Sequence, residues 1–236
     1  MGKSVYACKH VHRQCLIRVK GIAVWLVPPP AEAELIKRKL MRMPPSLEPL
    51  PYSLPTLEPH ITIASFPSSI PLDTLRSSLN SISINGSHHQ EREGEGEGTP
   101  ALEIRFSALS VGDAYFRSVL LDIIPTPALH SLREQLQKSA LPYEARSPRY
   151  PHLSLFYVLD EHAEDRERIR QALWRDCKGM HLGDRIMFDI DLLKEGGAGG
   201  DEERFEGFCA SDIWIVRCEG AVEEWTVLDK IHLSSK

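Results

Sequence analysis

Two short segments of this chain repeat one pattern, Pro59-His60-Ile61-Thr62-Ile63 and Pro151-His152-Leu153-Ser154-Leu155. Each opens an apolar run of strand length. A strand alternates its side chains between two faces, so His60 and Thr62 share one face while Ile61 and Ile63 share the other. His152 and Ser154 separate in the same way from Leu153 and Leu155. Each copy thus offers one imidazole and one hydroxyl to a surface and one apolar face to a core. Two copies brought face to face would surround a small anionic group with two titratable bases and two hydrogen-bond donors. In-line chemistry at a phosphodiester needs those parts: a base for the incoming oxygen, an acid for the leaving oxygen, and donors for the non-bridging oxygens.

The repetition extends beyond the motifs. An amphipathic helix is predicted over Ala31 to Met43, with Ala33, Ile36, Leu40 and Met43 at helical spacing, and a matching one over Pro127 to Ala140, with Thr126 as N-cap and Leu129, Leu132 and Leu136 on one face. Downstream come Ser69 to Ile82, striped by Leu72, Leu75, Leu79 and Ile82, and Ala163 to Cys177, striped by Ile169, Ala172 and Leu173. Helix, histidine strand, helix therefore occurs twice. Further strands are predicted over Leu102 to Ser110, Tyr115 to Ile124, Ile186 to Leu193 and Ser211 to Cys218. The expected fold is an internally duplicated α+β domain with two antiparallel sheets.

Charge narrows the ligand. The chain carries 28 Lys and Arg against 33 Asp and Glu, and residues 1–20 hold five of those bases and no acid, leaving 23 against 33, a net of −10, in residues 21–236. A body that acidic does not wrap long nucleic acid, whose phosphates demand a broad basic surface, but it can bind a small nucleotide locally. No apolar run is long enough to span a bilayer, and no secretory signal is recognisable, so a soluble protein is expected. Residues 1–20 read as a poorly ordered basic extension, with a weak organellar presequence as the alternative, ahead of a single domain over 21–236. Residues 86–100, with their Glu-Gly alternation and no apolar side chain, and 195–203, rich in Gly and acid, are expected to be mobile loops. Five cysteines, Cys8, Cys15, Cys177, Cys209 and Cys218, show no paired short spacing, so neither zinc nor a disulfide framework is indicated.

The paired Pro-His-x-Thr and Pro-His-x-Ser motifs resemble the two-histidine phosphoesterase superfamily, and most closely its plant and fungal cyclic nucleotide phosphodiesterase branch. Ala23-Val24-Trp25-Leu26-Val27-Pro28-Pro29 is similar to that branch's opening strand, and His152-Leu153-Ser154-Leu155-Phe156-Tyr157 to its second motif. The resemblance implies two pseudosymmetric lobes whose antiparallel sheets face a central cleft, with helices outside. It implies His60 and His152 as the catalytic pair and Thr62 and Ser154 as phosphate ligands, with no metal or other cofactor. The implied substrates are ADP-ribose 1″,2″-cyclic phosphate from tRNA splicing and nucleoside 2′,3′-cyclic phosphates, opened to 2′-phosphates. A cytoplasmic monomer is expected, with Golgi association, as in some fungal members, left open.

Three further residues are candidates. Tyr157 is implied as a phosphate contact, yet five positions after His152 it belongs to the opposite face of a regular strand and reaches the cleft only where a bulge or the strand's end turns it. Trp25 and Phe116 are candidates to stack on a base, with core packing as the alternative for each. Trp174 and Trp214 read as packing residues, and Trp225 is unassigned. Pseudosymmetry leaves open which histidine is the base. Also open are an RNA-end-processing enzyme and a non-catalytic nucleotide-binding protein of the same fold.

Overall fold

The computed structural model describes residues 19–47, 57–82, 102–146, 150–189, 204–210 and 212–232. The expected mobile loops, and all of the basic extension but its last two residues, lie outside them. In chain order the elements begin β1 (Val19–Val27), α1 (Pro30–Lys39), β2 (Ile61–Phe66), α2 (Leu72–Ser81), β3 (Leu102–Val111), β4 (Val119–Ile123) and α3 (Pro127–Ser139). They continue with β5 (His152–Phe156), α4 (Ala163–Asp176), β6 (Gly179–Leu182), β7 (Arg185–Asp189), β8 (Arg204–Phe205), β9 (Gly207–Ala210), β10 (Asp212–Gly220) and β11 (Thr226–His232).

One eight-stranded antiparallel sheet runs β11, β10, β1, β2, β5, β4, β3, β9, and β6, β7 and β8 form a small second sheet. The two sheets expected from the duplication are the four-stranded halves of the large one, joined through the motif strands β2 and β5. The repeated unit is visible as β1-α1-β2-α2 in one half and β4-α3-β5-α4 in the other.

The four helices cover one face. Leu35, Ile36, Leu75, Leu79, Leu129, Leu132, Leu136, Ile169 and Leu173 pack with Ile22, Val24 and Leu26 of β1, Ile61 and Ile63 of β2, and Leu153 and Leu155 of β5. Ile36, Leu75, Leu79, Leu129, Leu132, Leu136, Ile169 and Leu173 are periodic positions read from sequence, whereas α1 ends at Lys39, short of the predicted Met43. Thr126 caps α3 by accepting from the Leu129 N–H at 3.2 Å. Burial of this stripe is the main force holding each helix to the sheet. Alternation sends Ala23, Trp25 and Val27 to the opposite face, where they meet Val216 and Cys218 with Trp214 and Trp225 alongside.

One predicted strand divides. Tyr115 to Ile124 is a 3₁₀ turn at Tyr115–Arg117 followed by β4 from Val119. Ser118 is the reason: its hydroxyl bonds back to the Tyr115 carbonyl at 2.7 Å, which satisfies the backbone locally and takes it out of the strand ladder. Strands β6, β8, β9 and β11 have no counterpart in the sequence prediction. No helix among the described residues is long and apolar enough to cross a membrane. Cys177, Cys209 and Cys218 are free thiols.

Candidate active site

The motif strands meet at a single point. β2 and β5 share the one antiparallel pair Ile61↔Leu153. Antiparallel register about that pair sets His60 across from Ser154 and Thr62 across from His152, on the face away from the helices. Each imidazole therefore stands opposite the other copy's hydroxyl. A cavity of ≈ 320 Å³ opens there, lined by His60, Thr62, His152 and Ser154 together with Tyr157, Trp25 and Phe116. All seven candidate residues are thus brought to one place, in a volume suited to a small ligand.

The surroundings of His60 are specific. Its ring lies flat on Trp25, with centroids 3.6 Å apart and planes 11° from parallel. Its Nδ1 is 2.8 Å from the Glu58 carbonyl. A carbonyl only accepts, so Nδ1 carries the proton and Nε2 keeps a lone pair. His60 is 7% exposed. Burial pushes its pKa down to about 4, against the opposing pull of the Glu58 carbonyl, and the nearby His152 pushes the same way. His60 is therefore neutral at physiological pH, a tautomerically fixed base. His152 is half-buried and in register with Asp122 of β4.

Trp25 is 3% exposed and devotes a ring face to His60. It supports the imidazole rather than presenting an open platform for a base. Phe116 and Trp225 carry the less buried aromatic surface and stack on one another with centroids 5.7 Å apart. Trp225, unassigned from sequence, thus belongs to the cavity wall. The signal missed was positional: Trp225 reaches the site from the connection between β10 and β11, which local pattern does not place.

Phe116 enters the cavity from the 3₁₀ turn, not from a strand face as predicted, and its carbonyl accepts a hydrogen bond from Ser154 Oγ at 2.9 Å. Tyr157 escapes the strand alternation because β5 ends at Phe156. Burial raises its hydroxyl pKa, Cys218 and Tyr115 add to the rise, and a hydrogen bond with Ser154 opposes it, so the phenol stays protonated. Lys20 and Arg117 also line the cavity, and among the described residues no Asp or Glu does. In an acidic chain, a cavity walled by two cations, two imidazoles and no carboxylate suits an anion.

Cyclic phosphodiesterase-like proteins match this chain over residues 20–233. The 2′,3′-cyclic-nucleotide 3′-phosphodiesterase of Kluyveromyces lactis is 27% identical over 226 residues, covering 89% of this chain and 98% of its own length. The Saccharomyces cerevisiae protein of the same name is 25% identical over 249 residues, covering 90% and 100%. Among solved structures, E. coli LigT complexed with ATP superposes with a TM-score of 0.50 at 13% identity over 92% of this chain and 98% of that one, a likeness of fold. The chain belongs to the cyclic phosphodiesterase-like protein family, the branch of the two-histidine phosphoesterases that its paired motifs resemble.

Proposed function

We propose that this protein hydrolyses the cyclic phosphate of small 2′,3′-cyclic nucleotides to 2′-phosphates, with ADP-ribose 1″,2″-cyclic phosphate from tRNA splicing as a second substrate. The observation that carries this is one cavity that holds both imidazoles, His60 stacked on Trp25, with no carboxylate in its lining among the described residues. His60 is held neutral with its Nε2 lone pair available, and His152 stands across the seam, opposite Thr62. The activity of the yeast relatives supports the substrate class.

In the proposed step, His60 Nε2 takes a proton from water as the water oxygen attacks phosphorus in line with the bond to O3′. That bond breaks, O3′ takes a proton from the His152 imidazolium, and the 2′-phosphate is left. Asp122, in register with His152 on the next strand and accepting a hydrogen bond from Ser110 Oγ, would favour a cationic ring there. Thr62 and Ser154 donate to the non-bridging oxygens as charge grows on them, for which Ser154 must exchange its bond to the Phe116 carbonyl. Both proton transfers are supplied by side chains, so the proposal includes no metal.

The test is turnover of a nucleoside 2′,3′-cyclic phosphate and of ADP-ribose 1″,2″-cyclic phosphate in excess EDTA, followed by phosphorus NMR. Turnover is expected, with His60→Ala and His152→Ala each slower by roughly 10²- to 10⁴-fold. Turnover only after metal is added would sink the mechanism, and tight nucleotide binding without turnover would make the protein a binding module.

A further inference from the structure

We propose that Ser118 is a positioning residue of the active site: its hydroxyl holds the turn that carries Phe116 against the end of β5, and keeps it there when Ser154 releases that turn to bind phosphate. This rests on the phosphodiesterase reading above. Ser118 is wholly buried, yet it is polar and lies outside the cavity lining. A buried hydroxyl is retained only where its hydrogen bonds offset its desolvation, and here some lie within its own turn and the others reach Val158 beyond β5. Ser118 Oγ accepts from the Val158 N–H at 2.8 Å, and its single proton lies within reach of the Tyr115 carbonyl at 2.7 Å and the Val158 carbonyl at 3.0 Å.

Val158 follows Tyr157 directly, and Tyr115 precedes Phe116. The one hydroxyl therefore joins the segment bearing Tyr157 to the turn bearing Phe116. The turn is held at two successive carbonyls, Tyr115 by Ser118 and Phe116 by Ser154. Its other end is closed by the Gly112 N–H bonding to the Ser118 carbonyl at 3.1 Å, at a glycine whose added Cβ would lie 1.9 Å from the Arg117 oxygen. Arg166, itself buried, adds a 2.8 Å bond to the Val158 carbonyl.

Ser154 cannot serve phosphate and the Phe116 carbonyl with its one proton. Once Ser154 turns to the substrate, the Ser118 hydroxyl still ties the turn to Val158. Without Ser118 the same event would leave Phe116 loose, or would keep Ser154 occupied and the phosphate short of a donor. Either way the two hydroxyls are coupled, and that coupling is measurable.

The experiment is a double-mutant cycle on kcat and KM for a nucleoside 2′,3′-cyclic phosphate, using wild type, Ser118→Ala, Ser154→Ala and the double variant, each checked as folded at the assay temperature. Ser118→Ala is expected to lower kcat/KM by roughly ten- to a hundredfold. Ser118→Thr, which keeps the hydroxyl, should recover most of it, and the double variant should be slower than the product of the two single losses, because only then does the turn lack both ties. Losses that multiply or fall short of multiplying, or a folded Ser118→Ala with wild-type kcat and KM, would overturn the proposal. If Ser118→Ala does not fold, the cycle is run with Ser118→Cys, equal in shape and a weak donor, and read by the same criteria. If wild type turns over no cyclic nucleotide, the functional reading fails by itself. The cycle is then read by calorimetry on a nucleoside 2′-phosphate, where non-additive losses support Ser118's role and additive ones refute it.

Discussion

The buried neutral imidazole of His60 makes folding stability depend on pH in a calculable way. Its pKa is about 4 in the folded protein against an ordinary 6.5, with burial the main cause. Above 6.5 the ring is neutral in both folded and unfolded chains and adds no pH dependence. As pH falls below 6.5 the unfolded chain binds a proton that the folded one refuses, so the unfolded state gains and stability is lost until pH reaches about 4. At about 1.4 kcal/mol per unit, the loss over that window is about 3 kcal/mol. With a urea slope of roughly 3 kcal/mol/M, that moves the unfolding midpoint by roughly 1 M. The assay is urea denaturation of wild type and His60→Gln at a series of pH values from 7.5 to 4. Glutamine does not titrate and can still donate to the Glu58 carbonyl, and the other titrating groups cancel in the difference. Wild type should lose stability relative to the variant by about 3 kcal/mol on acidification, with the change concentrated between 6.5 and 4. Parallel curves would refute the neutral, desolvated state of His60 and with it the reason for naming it the base.

The same shift sets the acid limb of kcat/KM in the free enzyme: activity should rise as His60 deprotonates through about 4, and a limb at 6.5 or higher would assign the base elsewhere. Trp25→Ala removes a buried indole at an expected cost of roughly 3–5 kcal/mol in denaturation. Because it also admits water to His60, the ring's NMR titration should move up toward 6.5 in that variant, and an unmoved titration would show that Trp25 does not provide the burial.

The helices were the most legible part of the chain because their signal is local. Thr126 and Pro127 mark the start of α3, and Leu129, Leu132 and Leu136 lie three and four residues apart as one face of a helix requires. The motif residues were legible because the duplication gave two independent sightings of one alternation. The strands that escaped notice are short or lie at edges. β9 has four residues, and β11, at the end of the large sheet, has no fully buried position with which to show a period. Phe116 was misplaced onto a strand because the hydroxyl that bends its segment bonds to Val158, 40 residues away, as well as to its own turn. The seam is the least local feature of all. That β2 and β5 meet through Ile61 and Leu153 alone depends on the whole sheet, and only that meeting turns two weak motifs into one cavity.

Duplication supplies two equivalent half-sites, but acid-base chemistry needs two different ones. Here the difference comes from the neighbouring strands, not from the motifs. Beside β2 lies β1, whose Trp25 is paired in register with Thr62 and lays its indole against His60. Beside β5 lies β4, which brings Asp122 into register with His152 and Leu120 with Ser154. An aromatic face excludes water and holds a neutral ring; a carboxylate attracts a charged one. The two hydroxyls differ likewise, since Ser154 is tied to the Phe116 turn and to Tyr157 in the second half of the sheet. Two motifs of nearly identical sequence thus acquire unlike surroundings through residues that neither motif contains. On the proposed mechanism the pseudosymmetric cavity would bind a substrate in one direction, with the attacking water on the His60 side and the leaving oxygen on the His152 side.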